Sequence, residues 1–251
     1  MANTRDLINN VLREIRQFGL IIPAATSSTT DDYLLMILQM VNSSKEEIEE
    51  AGWAWQALRQ TVTLTLASST VEYDLTIAGD ADVDTNDRTR LLYENVSTYG
   101  ATEGFYNSVS SRPQVFDVTT SSERRVAEKT QEFIERLHFT DNDEGGDPQY
   151  FSFYSDGDSI KVKVWPTPAQ AYTIKLRLYI PQAALLATDL TTTLLIPNRP
   201  VWTKATWKAN QERGDELGKP GSTAHIAYLD AHGAAAGKEM TPADSTVFLE
   251  R

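Results

Sequence analysis

Residues 156–181 read DGDSIKVKVWPTPAQAYTIKLRLYIP. Ile160, Val162 and Val164 alternate with polar residues. So do Ile174, Leu176, Leu178 and Ile180, with Lys175 and Arg177 between them. A period of two marks a strand with one face buried and the other wet or loosely covered. The prolines of WPTP end the first strand and shape the turn into the second. Just upstream, Tyr150–Tyr154 is expected to pair with Ser159–Trp165 across SDGD, giving an antiparallel sheet.

The same alternation recurs in QTVTLTLASSTVEYDLT (60–76), where Val62, Leu64 and Leu66 oppose Thr61, Thr63 and Thr65. Ser68–Ser69 reads as a turn, and Val71, Tyr73 and Leu75 begin the returning strand of a hairpin. Residues 78–111 are polar and weakly periodic, with only LLYENV strand-like, so they read as long loops of the kind that meets a partner. PQVFDVT is a short strand. SSERRVAEKTQEFIERL (121–137) reads as a helical insertion capped at Ser121 or Ser122.

Outside this region the period changes to that of a helix. Leu7, Ile8, Val11, Leu12 and Ile15 form one apolar stripe over residues 4–18, which Gly19 is placed to stop. A second helix is expected over 32–52, capped by Thr30 or Asp31. Its stripe contains Leu34 and Leu38, and SKEEIEEAG is its charged outer end, with Glu46, Glu47, Glu49 and Glu50 on a solvated face. Trp53 and Trp55 mark the exit into the sheet. From Pro200, Val201, Trp202, Ala205 and Ala209 form a third stripe, closed by Gly218 and Pro220, and a small-residue helix with Ile226 and Leu229 follows.

The expected class is α+β. A helical bundle is built from N-terminal (1–58) and C-terminal (182–240) helices, and an antiparallel β-domain (59–181) is inserted between them. An extended tail (241–251) follows. Leu12, Ile15, Leu34, Leu38, Trp202 and Ala205 are the expected bundle core.

Composition narrows the function. The 251 residues include no cysteine, which removes disulfides, thiolate nucleophiles and Cys-ligated metals. A net charge of −12 disfavours tight nucleic-acid binding, which depends on Lys and Arg neutralising phosphates. An acidic surface fits plain solubility, which is the simpler reading, or a wall past which a polyanion slides. No apolar run reaches the roughly 18–20 residues that span a bilayer, and the amphipathic start lacks a signal-peptide core, so synthesis in the cytoplasm is expected.

No motif for chemistry survives inspection. DADVDTNDRTRL (80–91) has aspartates at EF-hand positions but Thr85 in place of the glycine and Leu91 in place of the closing glutamate. DNDEGGDPQYFS (141–152) fails at Gly145 and Ser152. His225 and His232 stand two helical turns apart, too far for a zinc pair. GDELGKP (214–220) is a helix end and not a phosphate loop. Trp53, Trp55, Trp165 and the aromatics of 150–154 could line a sugar-binding face, although a core seam is the simpler reading. No enzyme, cofactor or metal is expected.

The order of segments resembles the head-to-tail adaptor (head-completion) proteins of tailed bacteriophages. The resemblance rests on DLINNVLREI (6–15), WAWQAL (53–58) and TVTLTLASSTVEYDL (61–75). It continues in PQYFSFYSDGDSIKVKVWPTPAQAYTIKLRLYIP (148–181) and IPNRPVWTKATWKANQERGDELG (196–218). It implies a virion protein forming a homo-oligomeric ring, usually twelvefold, between the portal protein and a tail or nozzle protein. Genomic DNA would pass through without tight binding, and no membrane is involved. By the same resemblance Val247, Phe248 and Leu249 look like the portal contact, and Asp82, Asp84, Tyr99, Phe105 and Tyr106 like tail-side contacts. The alternative is another tail-associated or carbohydrate-binding virion protein.

Overall fold

A computed structural model describes residues 2–51, 55–75, 88–99, 106–113, 115–119, 124–140, 145–156 and 159–239. The chain divides into two compact units, Met1–Leu58 with Gln182–Arg251, and Arg59–Pro181. The class is α+β. The helices are α1 (Thr4–Glu14), α2 (Asp32–Glu50), α3 (Gln131–Thr140), α4 (Asn198–Glu212) and α5 (Thr223–Glu239), of which α3 belongs to the second unit.

In the first unit, α1 begins with a capping box. The Asn3 side chain accepts from the Asp6 N–H at 2.9 Å, and the Asp6 carboxylate accepts from the Asn3 N–H at 3.4 Å. Leu7, Ile8, Val11 and Leu12 are wholly buried. The helix ends at Glu14, short of the expected 18, because Arg16 takes a left-handed conformation (φ 61°). The Gln17 N–H then reaches back to the Leu12 carbonyl at 2.8 Å and the Arg16 N–H to Arg13 at 3.1 Å, a Schellman closure without its usual glycine. Arg16→Gly is expected to stabilise the protein by about 1 kcal/mol, since only glycine occupies this region without steric cost. A lower urea midpoint in the variant would show that the exposed Arg16 side chain offsets its backbone strain.

Helix α2 is capped by Asp31, whose carboxylate accepts from the Tyr33 and Leu34 N–H groups at 3.0 and 3.1 Å. Residues 182–197 form no helix. They run as a strap that buries Leu185, Leu190, Leu194 and Ile196. Asn42 clasps it with a pair of 2.9 Å bonds to the Leu185 backbone. Helix α4 follows and stops at Gly214 (φ 69°), earlier than the expected Gly218. Gly218 serves the chain that returns past the end of α4. A Cβ there would lie 2.5 Å from the Gln211 backbone nitrogen, so only a glycine fits. Helix α5 completes the unit.

The second unit holds strands β1 (Arg59–Leu66), β2 (Glu72–Asp74), β3 (Arg90–Leu91), β4 (Tyr93–Tyr99), β5 (Tyr106–Pro113) and β6 (Val115–Asp117). These are followed by β7 (Arg124–Arg125), β8 (Ala127–Glu128), helix α3, β9 (Tyr150–Asp156), β10 (Ser159–Trp165) and β11 (Tyr172–Tyr179). One sheet has the order β1-β11-β6-β7, with β3 also on β11, another has β2-β10-β9-β8, and β4 and β5 form a hairpin of their own. The expected β9–β10 hairpin is present, with Tyr150 opposite Trp165 and Tyr154 opposite Lys161. Among the described residues the named strands pair antiparallel except β8 with β9, which is parallel.

Two expected hairpins are absent. β1 pairs with β11 and β2 with β10, so the chain leaves one sheet for the other at 67–71 and again at 166–171. The two crossings are bonded side by side: the Ser69 N–H (φ 64°) donates to the Pro168 carbonyl at 2.9 Å, and Ser68 Oγ to the Ala169 carbonyl at 3.1 Å. Val62, Leu64, Ile174, Leu176 and Leu178 from one sheet join Phe151, Ile160, Val162 and Val164 from the other in one core. The insertion helix also starts later than expected. Residues 124–125 and 127–128 are strands, Thr130 caps α3, and only Ile134 of the helix is fully buried.

Candidate interaction surfaces

Of the residues the resemblance assigned to the tail side, Tyr99 and Tyr106 are direct partners across the β4–β5 hairpin, beside a register shift at Ser97/Tyr99. Asp82, Asp84 and Phe105 lie outside the described residues, as do Val247, Phe248 and Leu249. In the helical unit Leu12, Ile15, Leu34, Leu38 and Ala205 are buried. Trp202, expected among them, is only half-buried and lines a groove of about 260 Å³ with Thr206, Leu217 and Ala224. Its stripe position is right for the core, but α5 covers just part of the indole.

The charged end of α2 departs furthest from its sequence reading. Lys45 and Glu49, one turn apart, are both fully buried, with Nζ 3.3 Å from the carboxylate. Lys45 also donates to the Gln182 carbonyl, and the Gln182 N–H donates to Glu49 at 3.3 Å. The pair thus satisfies both backbone groups of the first residue of the strap. Lys–x–x–x–Glu spacing on a helix is the pattern of a solvated surface pair, so nothing in the sequence separates this pair from its exposed neighbours. Glu47, two residues before Glu49, links α2 to α4 through Lys204 at 2.7 Å and Lys208 at 2.5 Å. Partial burial pushes its carboxyl up, but these two ammonium groups outweigh that and hold it below the usual carboxylate range.

The histidines are packing residues in both units. His232 stands edge-on to the fully buried Trp55 at 6.2 Å, and Tyr228, His225 and Trp207 continue the aromatic run. Burial, then the charge of Lys204, lowers the His232 pKa and favours neutral imidazole. His138 lies 3.1 Å from the Val164 carbonyl. Among the described residues no three His, Asp or Glu converge as metal ligands. The aromatics of the β-unit are likewise engaged: Tyr150 stacks on Trp165 at 5.7 Å and meets Phe133 of α3 edge-on at 6.0 Å. Lys163 ties the same helix down through Glu135 at 3.0 Å. A platform for sugar rings would need that face open.

Among the described residues no helix is long and apolar enough to cross a membrane. What the chain offers is surface: a helical unit with a half-open groove, and a β-unit with a separate hairpin. A family model described as SU10 adaptor protein matches residues 2–238. No curated protein matches the chain.

Proposed function

We propose that this chain, which belongs to the SU10 adaptor protein family, is the subunit of a ring that joins the portal of a bacteriophage head to its tail and continues the DNA channel. Membership of that family makes it a structural phage protein. The single observation that carries the finer reading is the family match over nearly the whole chain, covering both units in sequence order. A ring subunit needs side-to-side heterologous contacts, and a chain of two compact units offers surface for them.

In this reading Val247, Phe248 and Leu249 engage the portal, and the residues around Asp82, Asp84, Tyr99, Phe105 and Tyr106 meet the tail or nozzle protein. Copies of the chain, twelve in the usual arrangement, close the ring at the head–tail interface of the virion. The triplet is apolar and follows a polar stretch of sequence, the composition of a docking anchor.

Deleting residues 242–251 tests the reading. The truncated chain is expected to keep its unfolding transition but to lose ring assembly on the portal, measured by mass photometry of the mixture. Undiminished docking of the truncated chain would remove the tail from the interface. A full-length chain that ignores the portal would remove the ring itself.

A further inference from the structure

The edges of the two larger sheets are unequal. Strands β2, β7 and β8, which close three of the four edges, are only two or three residues long. The fourth, β1, runs for eight residues and pairs with β11 along all of them without a bulge. A long regular edge recruits further strands, and proteins blunt such edges with short strands, prolines, bulges or lysines. β1 has none of these.

The direction of its free groups follows from its neighbour. The Arg177 carbonyl accepts from the Leu92 N–H and the Thr173 carbonyl from the Val118 N–H, both at 2.9 Å. These bonds lie on the flank of β11 away from β1, and the residues opposite Arg177 and Thr173 on β1 are Thr61 and Thr65. In an antiparallel pair, opposed residues turn their backbone groups either toward each other or both away. Thr61, Thr63 and Thr65 therefore aim N–H and C=O outward, and among the described residues nothing takes these groups.

The far flank of β11 carries the complement. The chain leaves β11 at Leu92, beside Arg177, and rejoins it at Val115, opposite Leu176. Between these points β4 and β5 pair with each other and, among the described residues, with neither larger sheet. They form an arm about 24 Å long, since β4 has seven residues at about 3.4 Å each. A hairpin of two strands is marginal in water until a third strand or a helix joins it. From Ser97 to Tyr99 β4 advances two residues while β5 runs three, from Val109 to Tyr106, so the extra residue lies in β5. β5 also ends in Pro113, which has no N–H. β4 is thus the more regular edge of the arm.

We infer that β4 of one copy pairs with β1 of the next, so that neighbouring β-units share a sheet. β11 stands between the arm and its own β1, so the partner is a second copy and the contact is heterologous. Such a contact repeats from copy to copy, and the three threonines bring up to about six backbone hydrogen-bonding groups to it. The closed ring rests on the adaptor reading; the strand pairing does not. Pairing along the stem, residues 93–97, leaves the tip at Tyr99 and Tyr106 to the tail protein of that reading.

The test exploits the absence of cysteine from the chain. Full-length Thr63→Cys and Val96→Cys variants are mixed, treated with a short bismaleimide and resolved by denaturing electrophoresis. This is done at high protein concentration and again with the portal protein. Adduct is expected between the two variants and not within either alone. Adduct of Thr63→Cys with itself would show two β1 strands paired with each other and would overturn the proposal. So would absence of mixed adduct under both conditions. Thr63→Pro gives a second readout. The N–H it removes points outward, so no bond within the sheet is lost and the unfolding midpoint should stay near wild type. Assembly, followed by sedimentation velocity under the condition that gives the adduct, should weaken about tenfold or more as a bond is lost and an acceptor on β4 left unpaired. Unchanged assembly of a folded Thr63→Pro chain would overturn the pairing. A ring that forms on the portal without mixed adduct sinks this inference and spares the adaptor reading. Mixed adduct in a chain that ignores the portal does the reverse.

Discussion

Glu49→Gln is expected to lower the unfolding free energy by about 3–5 kcal/mol, the cost of leaving one member of a buried ion pair alone. Both side chains are completely out of water, and between them they hold the two backbone groups of Gln182. The amide keeps the shape of the carboxylate but not its charge, so Lys45 must be desolvated without its counter-charge or lose its proton. Set against a total stability of about 5–15 kcal/mol for a domain, that is a large share. The pair as a whole is a different matter. Desolvation nearly cancels attraction for buried pairs, so Lys45→Met combined with Glu49→Leu should recover most of the loss. Urea unfolding of the single and double variants distinguishes the two effects. A double variant as weak as the single one would mean that the hydrogen bonds to Gln182, and not the unpaired charge, set the cost.

Trp55→Ala should cost about 3–5 kcal/mol, while Trp202→Ala should cost about half as much. Trp55 is wholly buried, packs against His232 and donates its indole N–H to the Ile48 carbonyl at 3.1 Å. Its removal leaves a cavity in the middle of the helical unit. Trp202 keeps part of its ring in water at the groove beside Leu217, so less contact is lost. Equal losses, read from thermal unfolding midpoints of the two variants, would mean that the groove is closed in solution.

What is legible in the sequence follows from what periodicity encodes. Alternation identifies β1, β10 and β11, because a half-buried strand must alternate. It cannot name the neighbour of each strand, so both crossings between sheets, at Ser69 and at Pro168, read as hairpin turns. Helical stripes locate α1, α2 and α4, yet not their ends. Arg16 adopts the conformation expected of glycine, and Gly214 ends the helix that Gly218 is spaced to end. Thr130 starts α3 nine residues after Ser121, because Val126, which fits the helical stripe, lies among the short strands before it. Lys45 and Glu49 show the same limit in chemical terms: a buried ion pair and a surface one have identical spelling.

The β-unit is entered along β1 and left along β11, and these two strands are paired from Arg59↔Tyr179 through Leu66↔Tyr172. Its two ends are therefore a single ladder rung apart, about 5 Å between α-carbons. A module with touching ends can be replaced by another of quite different length, since the two points at which the chain enters and leaves it stay one rung apart. The surface that the β-unit carries can then change by exchange of the whole unit, while residues 1–58 and 182–239 are kept.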